Sequence, residues 1–396
     1  MNADPTVMPG RPAPGPDALW PTPEQELLLR AALGRGSEAV DSWNAWKAAH
    51  DLVETDLDHG SFRLLSLVYK NLIAHRIHDP EMPRLKGIYR YWWCSNQRLL
   101  YHAAEIIRSL EQAGVSTMVL KGAATSTLYY RDMGVRPMGD IDLLVPVDQA
   151  GAAVDHLQSL GWRPARPRVA DLIRYQHSVT MVKEREAVDV HWHVFRECIQ
   201  GDTSAGFWSR SVPLEVLDTT TRALGPADAL FHTVVHGMRW NEEPTMRWIA
   251  DAMVIMRSNP EAIDWEALRQ EAHERRLLLR LMRGLDYLRL KFDAPIPDRV
   301  LARMRATRVS KVERLEYRFL TLGSDGNKSL RLAHGPLLMV TYLRLMARQG
   351  LWRKLMELPA FVRYRLRNRK DPAIVAVRRL KRVVRRALVG PAREAR

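Results

Sequence analysis

The sequence predicts an α+β protein: a small mixed-sheet domain embedded between helical N- and C-terminal regions. Three observations predict it. Apolar residues recur at helical spacing through residues 24–113, short runs rich in β-formers replace them at 114–200, and helical spacing returns over 201–330. Thr22-Pro23-Glu24-Gln25 reads as a helix start, with Thr as the cap, Pro at the first helical position and Gln three residues after the cap. The helix 26–33 then stops at Gly34. Between 42 and 113 the pattern Leu64, Leu65, Val68, Leu72 and then Leu100, Ala103, Ile107, Leu110 continues the helical reading. Residues 115–120 form a buried strand, Lys121-Gly122-Ala123 turns into a helix reaching about residue 130, and 131–139 is a loop built on Gly134, Pro137 and Gly139. A second strand covers 140–145 and is closed by Pro146; a helix over 148–160 ends at Gly161. Strands at 178–182 and 187–195 make a hairpin across the charged turn 183–186. Helices follow at 227–238, 246–257, 265–276 and 277–290.

The organisation is therefore a proline-rich tail (1–23), a helical region (24–113), an α/β core (114–200), a second helical region (201–330) and a basic helical end (331–396). The tail holds seven prolines and no apolar run, which predicts a flexible segment and not a signal peptide. Cys94 and Cys198, the only two cysteines, stand in no metal-binding spacing, which fits a reducing cytoplasm and excludes a disulfide scaffold. The formal charge of +15 is local: from residue 344 onward 17 Lys and Arg face three acids, so that end carries +14 and the rest of the chain is nearly neutral.

The chemistry lies in carboxylates. Alternate side chains of a strand share a face, so Asp140 and Asp142 project together while Ile141 enters the opposite layer. Two carboxylates at the start of a buried strand repel unless a divalent cation neutralises them. That is the arrangement required for metal-assisted phosphoryl or nucleotidyl transfer. Asp189, in Val188-Asp189-Val190-His191-Trp192-His193, is the natural third acid and shares its face with His191 and His193. An isolated Asp-x-Asp is common in turns and at solvated strand edges; the strand–Gly–helix element upstream and the in-strand acid downstream favour a site.

Three blocks together resemble a known family: Leu120-Lys121-Gly122-Ala123-Ala124, then Arg136-Pro137-Met138-Gly139-Asp140-Ile141-Asp142-Leu143-Leu144-Val145, then Val188-Asp189-Val190-His191-Trp192. They look like the uncharacterised nucleotidyltransferase family of bacteria, within the DNA-polymerase-β-like superfamily, and the likeness extends over about residues 40–290. The resemblance implies a polymerase-β-like fold and Mg²⁺ or Mn²⁺ held by Asp140, Asp142 and Asp189. It also implies an NTP whose phosphates meet Gly122 and Ala123 at the helix N-terminus, where free N–H groups and the dipole favour anions. Ala123 stands where the superfamily has Gly or Ser. Lys121 and Arg136 are candidate phosphate contacts by position and sign, Arg136 being equally readable as an ordinary loop arginine. His191 is a candidate for contact with the acceptor or metal.

His232 and His236, at i and i+4, have metal-ligand spacing but lack the glutamate of a zinc-protease motif, so a packed helix face lining a cleft is the favoured reading. The Met-rich segment 246–256 reads as core, and Arg247 with Asp251 as an i, i+4 salt bridge. The basic end reads as a helical lid, as a membrane-surface helix at 337–366, or, through 378–386, as a polyanion binder. No RNA- or DNA-reading motif accompanies the charge, which argues against nucleic acid. The expected activity is transfer of an NMP from an NTP to a hydroxyl or phosphate of a small molecule, sugar or peptide, with release of pyrophosphate. The protein is expected in the cytoplasm, with peripheral contact of its basic end at the inner membrane surface. The alternatives are a non-catalytic scaffold of the same fold at an anionic membrane, and an RNA-end nucleotidyltransferase.

Overall fold

Thr22 caps the first helix, α1 (Pro23–Leu33), reciprocally: its side chain accepts from the Gln25 N–H at 3.2 Å, and the Gln25 side chain accepts from the Thr22 N–H at 3.0 Å. The computed structural model describes residues 19–50, 52, 57–166, 169–184, 186–199, 203–239, 246–322, 339–340, 342–346 and 350–367. The proline-rich stretch 1–18 and the basic run 378–386 lie outside the described residues. Helices α2 (Ser37–Lys47), α3 (His59–Ala74) and α4 (Met82–Gln112) follow α1 and lead into the sheet.

The sheet has seven strands in the order β3-β4-β5-β2-β1-β7-β6. In chain order these are β1 (Met118–Leu120), β2 (Ile141–Leu144), β3 (Arg163–Pro164), β4 (Ser178–Lys183), β5 (Glu186–His191), β6 (Val212–Val216) and β7 (Thr219–Ala223). The central pair β1–β2 is antiparallel, whereas β2–β5 and β1–β7 are parallel, so the sheet is mixed. Between β1 and β2 runs a short helix, α5 (Lys121–Thr125), continued by a π-helical turn at Ser126–Tyr130. Helices α6 (Ala150–Ser159) and α7 (Val169–Tyr175) connect β2 to β4.

Strand alternation sorts the residues into two layers. Val119, Ile141, Leu143, Val188 and Val190 pack with Leu100 and Ile107 of α4 and Val154 and Leu157 of α6. On the other face Met118, Leu120 and Leu144 join a second core with Leu64 and Leu65 of α3. After α8 (Ala205–Ser209) the chain sends α9 (Pro226–Gly237), α10 (Arg247–Ser258) and, past α11 (Trp265–Glu274), α12 (Leu278–Phe292) into that core. The central strands are fully buried, and each of their apolar side chains contributes about 1.5–3 kcal/mol, which makes β1 and β2 a rigid platform. The Met-rich helix is core: Met246, Met253 and Met256 have no exposed surface.

The region expected to be purely helical from 201 onward contains the hairpin β6–β7, and β7 extends the sheet beside β1. Its alternation is present in the sequence, with Thr219, Thr221 and Ala223 inward and Thr220 and Arg222 outward. The inward residues are mostly threonines, so no apolar stripe marks the strand. Their hydroxyls are satisfied inside: Thr221 donates to the Thr117 carbonyl at 3.0 Å. β5 stops at His191, short of the predicted 195: the Trp192 N–H still bonds to His177 O at 2.9 Å in the β4–β5 register, but the His193 N–H turns onto the same oxygen at 3.3 Å, which ends the ladder.

Helix α9 presses against α10 through a glycine. A Cβ at Gly237 would lie 2.1 Å from Trp248 Cγ, so nothing larger fits without a shift. Gly237→Ala is expected to destabilise the fold by roughly 1–3 kcal/mol, read as a lower denaturant midpoint; an unshifted midpoint would contradict this packing.

Glu197 accepts from Arg280 at 2.8 Å and pairs with Arg239 at 3.6 Å. Burial alone would raise its carboxyl, but Arg239, Arg280 and Arg196 hold it well below the usual carboxylate range. A depressed carboxylate stabilises above its unfolded pKa, and the contribution is lost as pH falls through the folded value. Stability is therefore expected to drop on acidification below about pH 4.3. Glu197→Gln, less stable at pH 7, should show a shallower drop in chemical denaturation across that range.

The helix Leu351–Arg367 docks beside α7: Phe361 meets Tyr175 edge-on at 5.9 Å, Gln176 donates to Tyr364 Oη at 2.7 Å, and Arg174 pairs with Glu357. Trp352, Leu355 and Met356 of the same helix stay exposed. Among the described residues no helix is long and apolar enough to cross a membrane.

Candidate metal and nucleotide site

The site begins with register. Asp142 lies opposite Leu120 on β1 and opposite Asp189 on β5, so two acids stand side by side on parallel strands. One strand spacing is about 4.8 Å, close enough for their carboxylates to share a ligand. His191, two residues along β5 from Asp189, returns to the same face. Asp142, Asp189 and His191 each offer one ligand atom, all within 4.8 Å of one another.

Lys121 completes this group. It is the first residue of α5 and has φ 49°, a left-handed conformation that costs a non-glycine residue about 1–2 kcal/mol. That turn brings its Nζ to 2.5 Å from Asp142 Oδ1. His191 Nε2 is 2.9 Å from the same oxygen. Asp142 is only 4 % exposed, and burial alone would raise its carboxyl. The Lys121 charge and the His191 hydrogen bond outweigh burial and keep it ionised, far below the usual range. His191 Nδ1 is buried with no hydrogen-bond partner among the described residues.

Asp140, expected beside Asp142 in the same set, lies just before β2, is exposed, and falls outside the three-residue group. The surrounding protein still strips enough hydration to push its carboxyl up; Asp142 and Asp189 push the same way, while Lys121 and Arg247 oppose them. Gly122 and Ala123 stand where the strand becomes the helix, but for packing reasons of their own. A Cβ at Gly122 would lie 2.4 Å from Arg136 Nη1 and 3.2 Å from Met138 Cγ, and the Ala123 methyl is buried in the sheet core. Only their backbones are available to a ligand.

Arg136 is buried and forms a two-pronged pair with Asp251, Nε to Oδ1 at 2.9 Å and Nη2 to Oδ2 at 2.7 Å. The expected Arg247–Asp251 pair is thereby replaced: Asp251 takes Arg136 and the Tyr130 hydroxyl (3.0 Å), and Arg247 donates to Pro137 O at 2.8 Å. A salt bridge four residues apart on one helix loses to a buried fork from the loop, which offers two aligned hydrogen bonds. The π-helical turn supplies Tyr130 to this network.

Sequence reasoning missed the groups that reach the site from other helices. Asn96 of α4, fully buried, holds the loop 131–139 by donating to Met133 O (2.6 Å) and Arg136 O (2.9 Å) and accepting from the Met138 N–H (3.1 Å). Arg63 of α3 stands close enough to Asp140 and Arg136 to feel both charges. His232 and His236 do line a cleft: a cavity of about 330 Å³ between α5, the 131–139 loop, α9 and α10, which Lys121 also borders. No short-range signal marks Asn96 or Arg63, because each is remote in sequence from the strands it serves, whereas the i, i+4 spacing of the two histidines is visible in the sequence.

The family profile described as uncharacterised nucleotidyltransferase matches residues 61–293, which span β1, β2 and β5 as well as α9 and α10. The chain belongs to the uncharacterised nucleotidyltransferase family. As a family member it is a nucleotidyltransferase, and its group of two carboxylates and a histidine is a candidate metal site. No curated protein sequence matches the chain. Among solved structures, the solution structure of the antibiotic-resistance factor ANT(2'')-Ia, whose description reports substrate-regulated conformation dynamics, is similar at 13% identity and a TM-score of 0.35. That overlay covers 46% of this chain and 96% of the other.

Proposed function

We propose that the protein transfers an NMP from an NTP to a hydroxyl or phosphate of a small acceptor and releases pyrophosphate. The observation carrying this reading is the adjacency of Asp142 and Asp189 on two neighbouring parallel strands, with Lys121 on the Asp142 oxygen. The donor set fits a divalent cation such as Mg²⁺ or Mn²⁺: two carboxylates supply hard oxygens, and their ligand atoms converge with that of His191. Asp142 and Asp189 would hold the ion, with Asp140 at the rim; once bound, it would neutralise charge on the reacting phosphoryl group.

The remaining roles belong to the chain itself. Lys121 neutralises Asp142 in the absence of substrate and exchanges that oxygen for a phosphate oxygen when nucleotide arrives. His191 fixes the Asp142 carboxylate by its Nε2 contact. Asp189, half-buried beside it, accepts the proton of the acceptor hydroxyl. Arg136 acts at one remove: it is tied to Asp251 and steadies the loop that leads into Asp140.

Incubating the protein with each α-labelled NTP, Mg²⁺ or Mn²⁺ and a small-molecule extract tests this. Wild type should label an acceptor, and Asp142→Asn/Asp189→Asn should not. Equal labelling by both would end the catalytic reading.

One further observation favours a peripheral membrane contact alongside catalysis. Trp352, Leu355 and Met356 form an exposed apolar row at i, i+3 and i+4 on a helix with basic residues. Trp352→Ser/Met356→Ser should lower cosedimentation with anionic vesicles about tenfold while labelling is unchanged; unaltered sedimentation removes the membrane contact.

A further inference from the structure

The cavity between α5, α9 and α10 is cationic beyond structural need. Five cations border it, Lys121, Arg136, Arg196, Arg239 and Arg247, against one wall acid, Asp251. Three of them are matched: Lys121 by Asp142, Arg136 by Asp251 and Arg239 by Glu197. Among the described residues no carboxylate pairs with Arg196 or Arg247. Loss of hydration, with Arg136 and Arg63 nearby, pushes Arg247 down to about 9; burial and neighbouring arginines push Arg239 down to about 10. Both remain cationic at neutral pH, so the crowding persists until an anion relieves it.

A second observation points to a ligand. His232 is 2 % exposed and Trp248 4 %, both line the cavity, and neither His232 Nε2 nor Trp248 Nε1 has a hydrogen-bond partner among the described residues. Buried ring nitrogens without partners are costly, and an anion offers the acceptors that would satisfy them.

We infer that this cavity binds a phosphate group of the acceptor, which makes the acceptor a phosphorylated small molecule. The word acceptor rests on the nucleotidyl-transfer reading above; the anion site does not. The nucleotide's own phosphates belong over Asp142 and Asp189, and neither acid lines the cavity, most of whose wall is α9 and α10. Its size, about 330 Å³, suits part of a small molecule and not a polymer. Lys121 borders both places, so an acceptor anchored here would present its reactive oxygen towards the carboxylates.

Calorimetric titration of the full chain with inorganic phosphate at low ionic strength, once in EDTA and once without chelator in the presence of Mn²⁺, is the test. Wild type should bind phosphate, and should still bind it when saturated with Mn²⁺ and a non-hydrolysable NTP analogue. Thr233→Glu places a carboxylate on the half-buried cavity wall without emptying the core, and Arg247→Gln removes one of the two unmatched charges. Each should weaken phosphate binding at least about tenfold and leave analogue binding in place; if Arg247→Gln does not fold, Thr233→Glu carries the test. Asp142→Asn should do the reverse, losing the Mn²⁺-dependent analogue and keeping phosphate. Unweakened phosphate binding in Thr233→Glu, or loss of phosphate binding under saturating analogue, overturns the acceptor site. Analogue binding undiminished in Asp142→Asn overturns the nucleotidyl-transfer reading alone.

Discussion

Asp142→Asn is expected to lower labelled NMP transfer by roughly 10³-fold, the scale on which removing one preorganised charged or hydrogen-bonding group acts. The same change should also lower the unfolding midpoint of the metal-free protein. Asp142 Oδ1 is the shared partner of Lys121 and His191, and an amide there leaves a part-buried ammonium without its counter-charge. Asp140→Asn should likewise reduce transfer, yet it should raise the midpoint. The Asp140 carboxyl is disfavoured by lost hydration and by Asp142 and Asp189, and no hydrogen bond or ion pair to it is seen among the described residues. Transfer assays and thermal melts on the two variants separate these effects. Equal melting behaviour would mean that Lys121 does not hold Asp142 as described, and full activity in Asp142→Asn would remove it from catalysis.

Asp251→Ala should cost the largest share of stability of any single change near the site, about 3–5 kcal/mol. It strands the Arg136 guanidinium, only 7 % exposed, and removes the acceptor of the Tyr130 hydroxyl. Arg136→Met/Asp251→Leu should recover most of that loss in urea denaturation, because the pair's value lies mainly in not leaving one charge alone. A double variant as unstable as Asp251→Ala would instead place the damage in packing. The outcome also bears on the loop 131–139, since Asn96, Arg136 and Arg247 all hold its backbone or side chains.

The strands that carry the acids were legible because alternation is local. Ile141 and Leu143 enter one core and Leu144 the other, as period two requires, and Val188 and Val190 flank Asp189 in the same way. The capping box of α1 was legible for the same reason: four consecutive residues contain all of it. β7 was not, because buried threonines carry the strand without an apolar signal. For Asp251, helical spacing proposes Arg247 as partner, and only the folded loop brings Arg136 into competition. Gly122 is legible as the strand-to-helix turn; only the folded chain shows that it also makes room for Arg136, and that Lys121 takes the left-handed conformation.

What the amino-acid sequence determined alone was the mixed α/β core, the three aspartates and the faces of their strands, because propensity and alternation act over a few residues. The tertiary structure decided which of them meet: parallel pairing put Asp189 and His191 beside Asp142 and left Asp140 at the rim. It also decided that α9 and α10, more than 100 residues after β1, would gather arginines next to Lys121. Those contacts depend on register and helix docking, which the burial of the two cores fixes and no local pattern encodes.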